Sequence, residues 1–179
     1  MRKILSKKHF KYTLRPIYTI AFSSILSQRS PSLGDVGSHP KPELLGTMLN
    51  ILIIDDNDSF RGSFRDLLSQ HFPAMQIQEA ADSKGSLQKI TEHPPDLMFV
   101  DIELGGESGL DLIRKVRTSY ADPVIAIFTN YDLPEYREAA QESGANYFFS
   151  KGGSSMEEVL SLVDTVVFER QRRGELEIP

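Results

Sequence analysis

The feature that most constrains the fold is an alternation, from Met48 onward, of short apolar runs with longer stretches of helical periodicity. Five runs are predicted to be strands: LNILII (49–54), MQIQEA (75–80), DLMFVD (96–101), PVIAIF (123–128) and NYFFS (146–150). Strands that alternate with helices in this way form a parallel sheet with helices on both faces. The sequence therefore predicts a doubly wound α/β fold.

The stretches between these runs carry local helix signals. Asp58 is predicted to cap the first helix. A second helix is predicted from Ser83 to Glu92, where two prolines follow, and a fourth from Pro134 to Ser143, where Gly144 follows. Residues 155–158 (SMEE) have the pattern of a capping box and predict the start of the last helix.

The first 47 residues differ in composition from the rest of the chain. They contain eight Lys and Arg against two acidic residues, a formal charge of +6, which leaves −11 for the remainder. Residues 23–42 are rich in Ser, Pro and Gly and have no sustained period. Three interpretations remain open: a signal peptide, a basic arm for an anionic partner, or a dispensable extension with translation starting at Met48. We predict a disordered basic extension at 1–47, a folded domain at 48–173 and a C-terminal tail at 174–179.

Composition excludes several classes of site. The chain has no cysteine, which excludes disulfides, thiolate zinc sites and cysteine nucleophiles. Its histidines are scattered without metal-ligand spacing. Its longest apolar run is far shorter than the roughly 20 residues that span a bilayer. We therefore expect no membrane insertion and a cytoplasmic location.

Polar residues end four of the five predicted strands. Asp55 and Asp56 follow the first strand, Asp101 ends the third, Thr129 the fourth and Lys151 the fifth. The carboxyl ends of parallel strands meet at one edge of the sheet, where ligands bind. Clustered carboxylates without a nearby His or Cys suit a hard cation, and we predict Mg²⁺. An aspartate beside Mg²⁺ can attack phosphorus, while a lysine and a hydroxyl bind the oxygens of the transferred group.

Four segments, in order, resemble the receiver domain of two-component response regulators: IIDDND, FVDIELGGESGLDLI, IAIFTNYD and GANYFFSKGG. The resemblance covers about residues 48–170. It implies a flavodoxin-like (βα)5 fold with strand order 2-1-3-4-5, which agrees with the architecture that the periodicity predicts. The site residues that it implies are the phosphoacceptor Asp101, the metal-binding Asp55, Asp56 and backbone carbonyl of Glu103, the phosphate-binding Lys151, and the switch residues Thr129 and Phe148.

The chain departs from the usual pattern of that family in three loops. Two glycines (152–153) stand where a proline usually follows the lysine, and two more (105–106) stand where many members have a proline after the phosphoacceptor. These changes predict more flexible loops. The residues after the switch threonine, NY (130–131), are bulkier than usual. Together with Glu103 they are predicted to alter the lifetime of the phosphoryl group.

The resemblance implies a signalling module and not an enzyme. Its expected partners are a sensor histidine kinase or a phosphotransfer protein upstream and a protein target downstream. Only six residues follow the predicted last helix, which is too short for a helix-turn-helix. We therefore expect a stand-alone receiver without an output domain, and no contact with nucleic acid.

Two alternative functions use similar residues. A phosphatase of the haloacid dehalogenase type also has an aspartate nucleophile, Mg²⁺ and a lysine, but it needs a second aspartate two residues after the nucleophile, where this chain has Glu103. The other alternative is a degenerate receiver that serves only as a binding module. The presence of Asp101, Thr129 and Lys151 argues against it.

Overall fold

A computed structural model of the protein describes residues 49–176. The predictions for residues 1–47 and for the last three residues of the chain lie outside this range. Five parallel strands form one sheet: β1 (Asn50–Ile54), β2 (Gln76–Ala80), β3 (Leu97–Val100), β4 (Val124–Thr129) and β5 (Tyr147–Ser150). Counting only these strands, the order across the sheet is β2-β1-β3-β4-β5. The predicted flavodoxin-like architecture is confirmed.

Helices connect the strands and cover both faces of the sheet. They are α1 (Asp58–His71), α2 (Ser83–Glu92), α3 (Gly109–Ser119), α4 (Pro134–Ser143) and α5 (Met156–Arg172). The ends of α2 and α4 are those predicted, because prolines and a left-handed Gly144 bound them. Within residues 49–176 no helix has the length and apolar character needed to cross a membrane.

The predicted N-cap is correct for α5 but not for α1. At α5 the capping box is confirmed: the Ser155 hydroxyl accepts from Glu158 N at 3.2 Å, and the Glu158 carboxylate accepts from Ser155 N at 2.8 Å. At α1 the predicted cap, Asp58, is wrong. Asn57 is the cap and accepts from Phe60 N at 3.0 Å. Asp58 lies in the first turn, where a carboxylate interacts favourably with the helix dipole.

The core has two layers, one on each face of the sheet. All five residues of β1 are buried, and they alternate between the layers. Leu52 and Ile54 belong to the layer that packs against α2, α3 and α4. Ile51 and Ile53 belong to the layer formed with α1 and α5. β1 lies inside the sheet and is covered on both faces. Asp55 and Asp56, which follow it, are therefore attached to a densely packed and rigid strand.

A short hairpin lies between β3 and α3, where the sequence predicted a flexible loop. Glu103–Leu104 pairs antiparallel with Glu107–Ser108. The turn consists of Gly105 (φ 59°) and Gly106 (φ 99°). Two-residue hairpins favour type I′ turns, which require a positive φ at both central residues. The two glycines therefore build a defined hairpin, and the greater flexibility of this segment stays a prediction.

The hairpin brings the start of α3 into contact with the end of β3. Gly109 N donates to Ile102 O at 2.7 Å. A Cβ atom placed on Gly109 would lie 1.9 Å from the backbone oxygen of Asp101. Only glycine fits at the start of α3 in this arrangement, because Cβ contacts below 3.0 Å are not tolerated.

Arg117 joins four segments at the amino edge of the sheet. Its guanidinium donates to the backbone oxygens of Ala121, Pro123 and Gly144 at 2.9 to 3.0 Å, and to Asn146 Oδ1 at 2.7 Å. Burial lowers the pKa of Arg117 from its ordinary value. This residue fixes the ends of α3 and α4 relative to the starts of β4 and β5.

The chain continues to pack against the domain beyond α5. Gly174 has a left-handed backbone (φ 71°), Glu175 pairs with Arg170 at 2.8 Å, and Leu176 is buried in the layer of α1 and α5. Residues 174–176, which we predicted as the start of a tail, therefore contact the core.

Candidate functional site

Three carboxylates meet at the carboxyl edge of the sheet, as the sequence predicts. Asp55 and Asp56 directly follow β1, and Asp101 directly follows β3, its neighbour in the sheet. One oxygen from each residue lies within 4.8 Å of the others. Asp55 and Asp101 are buried, and Asp56 is exposed. The cluster is thus open to solvent on the side of Asp56.

Lys151, which directly follows β5, extends into this cluster. Its Nζ lies 2.6 Å from Asp55 Oδ2 and 2.6 Å from Asp101 Oδ2. The side chain is only 8% exposed, so both ion pairs are largely shielded from water. On another side, Nζ lies 4.1 Å from the centre of the Phe60 ring. The aromatic face adds a favourable contact with the ammonium group.

Backbone amides hold each carboxylate in place. Asp55 Oδ1 accepts from Asn57 N at 2.9 Å, and Asp56 Oδ2 accepts from Gly105 N at 3.0 Å. Asp101 Oδ1 accepts a longer bond of 3.4 Å from Glu103 N. The turn after β1 and the hairpin after β3 therefore orient the carboxylates toward one another. Oxygen donors grouped in this way fit a hard divalent cation such as Mg²⁺.

Burial has an electrostatic cost at Asp55. Desolvation raises the pKa of the Asp55 carboxyl above its ordinary value of 3.8, while the bonds from Lys151 and Asn57 oppose that shift. The negatively charged Asp101 adds to the increase. The ionised Asp55 is therefore less favourable in the folded chain than in the unfolded chain.

This shift predicts how the stability of the metal-free protein depends on pH. A raised pKa in the folded state means that the stability associated with Asp55 is fully present below the unfolded value and is lost as pH rises through the folded value. We expect Asp55→Asn to unfold at higher urea than wild type at neutral pH with a chelator present. The difference should shrink as pH falls and Asp55 becomes protonated. Urea unfolding of both proteins across pH measures it, and a gain that persists in acid would contradict the assignment.

The two predicted switch residues lie on the neighbouring strands. Thr129 ends β4 and is fully buried, and its hydroxyl accepts from Tyr131 N at 3.4 Å. Phe148 is half-buried on β5 and packs against the layer of α2, α3 and α4. The Arg137 guanidinium lies 4.5 Å from the centre of the Phe148 ring. Thr129 thus lies on the strand next to β3, which Asp101 follows, and Phe148 lies on β5, which Lys151 follows. The Phe148 ring is covered by Arg137 of α4.

The remaining predicted residue, Glu103, begins the hairpin two residues after Asp101. Its carboxylate accepts a hydrogen bond from the Tyr131 hydroxyl, and this bond raises the pKa of Tyr131 above its ordinary value. The contact joins the hairpin to the loop after β4. It links two of the positions that the sequence analysis identified as unusual.

Sequence reasoning missed two residues of α1 that contact the site. Phe60 lies against Lys151, and the Arg61 guanidinium donates to the backbone oxygen of Asp55 at 2.6 Å. The sequence analysis singled out neither residue. A usable signal was present, because both residues lie within the first turns of a helix that begins directly after the carboxylates.

The sequence profile of the response regulator receiver domain matches residues 51–164. The chain belongs to this family. Receiver domains of response regulators are signalling modules, which agrees with the predicted class of function. The oxygen regulatory protein NreC of Staphylococcus epidermidis is 34% identical over 119 residues, which are 66% of this chain and 54% of that protein. The sensory transduction protein LytT of Bacillus subtilis is 32% identical over 104 residues, which are 58% of this chain and 42% of that protein.

Solved receiver structures have the same fold. A CheY-like receiver domain protein from Methanospirillum hungatei aligns with a TM-score of 0.63 at 22% identity, covering 71% of this chain and 99% of that one. The chemotaxis protein CheY4 of Vibrio cholerae aligns with a TM-score of 0.61 at 23% identity, covering 67% of this chain and 99% of that one.

This receiver spans about half the length of the curated relatives that it matches. A similar solved structure, from the LuxR family of Staphylococcus aureus at 22% identity, is described as a DNA-binding response regulator. Our prediction that no nucleic acid is bound therefore gains no support. The absence of an output domain also stays a prediction.

Proposed function

We propose that this receiver accepts a phosphoryl group on Asp101 in a Mg²⁺-dependent reaction and passes the change on to a downstream protein. The donor is a sensor histidine kinase or a phosphotransfer protein. One observation carries the proposal: Lys151 Nζ lies 2.6 Å from Asp101 Oδ2, inside a group of three carboxylates whose oxygens lie within 4.8 Å. The residues proposed as nucleophile, as cation for the transferred group and as metal ligands thus lie close together.

The metal assignment follows from the donor atoms. Asp55, Asp56 and Asp101 would hold Mg²⁺, with the backbone carbonyl of Glu103 as a further ligand. The three carboxylates offer the hard oxygen atoms that Mg²⁺ prefers. When bound, the ion neutralises charge on the oxygens of the transferred phosphoryl group.

The protein's own residues account for the transfer. A carboxylate oxygen of Asp101 forms a bond to phosphorus while the bond from phosphorus to the donor's histidine nitrogen breaks, and its electron pair stays on that nitrogen. Lys151 then pairs with an oxygen of the new acyl phosphate, in a charge-assisted hydrogen bond. The product carries roughly −1.5 to −2 charges on three acceptor oxygens.

The response would pass through the two switch residues. Thr129 is the hydroxyl at the end of β4, and its movement toward the phosphoryl group would open space for Phe148 on β5. Arg137, which lies over the Phe148 ring, belongs to α4. We therefore propose that the surface formed by α4, β5 and α5 carries the signal to the partner.

Asp101→Asn tests the acceptor. Wild-type protein incubated with Mg²⁺ and a small phosphodonor is expected to gain one phosphoryl group, detected by intact mass, and Asp101→Asn is expected to gain none because an amide is not a nucleophile of this kind. Asp111→Asn is the matched control, since Asp111 is an exposed residue of α3 that pairs with Arg114. Equal labelling of Asp101→Asn and wild type would contradict the proposal.

The phosphatase alternative has less support. Its acid and base would be at position 103, where the Glu103 carboxylate accepts a hydrogen bond from the Tyr131 hydroxyl. Repeated turnover of a phosphate monoester, instead of a single covalent label, would favour that alternative.

A further inference from the structure

Arg61 contacts the backbone of the acidic site and not its cluster of carboxylates. It lies in α1 with a side chain that is 13% exposed. Nη1 donates to the backbone oxygen of Asp55 at 2.6 Å, Nη2 donates to the Asp58 carboxylate, and Nε lies 3.4 Å from Glu79 Oε2 on β2. The guanidinium thus connects the turn after β1 to both α1 and the neighbouring strand.

The oxygen that Arg61 binds belongs to the peptide unit between Asp55 and Asp56. Rotation of that unit changes ψ of Asp55 and φ of Asp56 together, so its orientation sets the directions of both side chains. The amide of Asp55 is already fixed to Ala80 O at 3.1 Å, and its carboxylate to Asn57 N at 2.9 Å. Arg61 fixes the remaining polar group of Asp55, its carbonyl.

We propose that Arg61 is a positioning residue for the metal-binding carboxylates, acting through the peptide unit between Asp55 and Asp56. The inference rests on the proposed function, because it concerns the same Mg²⁺ site. Arg61 does not touch the ion in this proposal. Its planar fork donates to the Asp55 carbonyl and the Asp58 carboxylate at once, with Nε in an ion pair with Glu79. A lysine ammonium on a flexible stem does not reproduce this arrangement.

Two roles for Arg61 predict changes of opposite sign in Mg²⁺ affinity. If Arg61 acted only through its charge, its removal would take a cation away from a cation site and tighten Mg²⁺ binding. If it orients the carboxylates, its removal weakens binding. Residues that hold metal ligands in this way cost about 10-fold to 100-fold in metal affinity when they are replaced.

Arg61→Met is the sharpest variant, because it keeps the aliphatic stem and removes every donor. We expect its Mg²⁺ dissociation constant, measured by calorimetry on the full chain, to rise about tenfold or more. Arg61→Lys keeps the charge and is expected to weaken binding as well. Arg65→Met is the matched control: Arg65 lies one turn further along α1 and pairs with the same Glu79 at 2.8 Å. It should bind Mg²⁺ within about twofold of wild type, since it lacks the contact with the turn.

A metal-free readout separates positioning from general stability. In chelator, amide NMR shifts of Asp55, Asp56 and Asn57 should change in Arg61→Met and not in Arg65→Met. A purely structural role would lower the unfolding midpoint of Arg61→Met and leave its Mg²⁺ affinity unchanged, which would overturn the inference. Equal or tighter Mg²⁺ binding by Arg61→Met or Arg61→Lys would overturn it too. Failure of wild type to bind Mg²⁺ would instead contradict the proposed function.

Discussion

Asp56→Ala is expected to abolish detectable Mg²⁺ binding and to slow phosphorylation of Asp101 by at least about 100-fold. A bound metal contributes several kcal/mol of charge stabilisation in the transition state, and each 1.4 kcal/mol or so corresponds to a factor of ten in rate. Asp56 is the exposed carboxylate of the cluster and accepts a hydrogen bond from Gly105 N. Its loss should therefore reduce function with little effect on stability. Calorimetric Mg²⁺ titration and initial rates with a small phosphodonor measure the two effects.

Asp66→Ala is the control for this substitution. Asp66 is an exposed carboxylate of α1, paired with the exposed Arg65, and does not contact the cluster. It should leave the metal affinity and the rate unchanged. If Asp56→Ala reacted at the wild-type rate with the same dependence on Mg²⁺, Asp56 would have to be removed from the proposed metal ligands.

Gly109→Ala is expected to lower the free energy of unfolding by about 3 kcal/mol or more. The new methyl group would lie 1.9 Å from the Asp101 backbone oxygen and 3.1 Å from Val100 Cγ1. Both neighbours belong to the dense interior, which cannot yield without moving β3 or the start of α3. Urea unfolding followed by circular dichroism measures the loss. Because the displaced carbonyl belongs to Asp101, the proposed phosphoacceptor, any folded fraction should also react more slowly.

Gly62→Ala supplies the matched glycine. Gly62 lies in the interior of α1, and a Cβ there meets no atom within 4 Å. Alanine at this position should stabilise the protein by roughly 0.5 to 1 kcal/mol through helix propensity. A Gly109→Ala midpoint equal to wild type would mean that α3 can begin further from β3 at little cost.

The parts of the fold that were predicted correctly depend on local signals. The apolar runs located every strand of the sheet to within one residue at each end. Ser155 with Glu158 forms its box within a single turn of helix. Such features need only neighbouring residues, and a sequence contains them in full.

The features that were missed depend on residues far apart in the chain. Arg117 is an ordinary helix residue by sequence, yet it bonds to Gly144 and Asn146. Leu176 becomes part of the core only because Gly174 turns the chain. The choice between Asn57 and Asp58 as the cap could not be made locally, since both residue types are good caps.

The site shows the same division. The rule that strand ends converge predicted Asp55, Asp56, Asp101 and Lys151, and the structure brings these four together. The rule says nothing about which other side chains hold these four residues in place. Phe60 and Arg61 follow the carboxylates closely in the sequence, but their contacts with Lys151 and with the Asp55 carbonyl depend on how α1 packs against the sheet.

The position of Lys151 has a consequence for how the proposed Mg²⁺ would enter the site. Its ammonium group serves as a counter-ion that is covalently attached to the protein, held 2.6 Å from two of the three carboxylates. Binding of the proposed Mg²⁺ would then exchange one cation for another within the cluster. The ion would compete with an ammonium group whose effective concentration is set by the fold and not by the solvent. The acidic cluster can stay folded without metal because it carries its own positive charge. Its affinity for Mg²⁺ should accordingly be moderate, so that occupancy responds to the Mg²⁺ concentration around it.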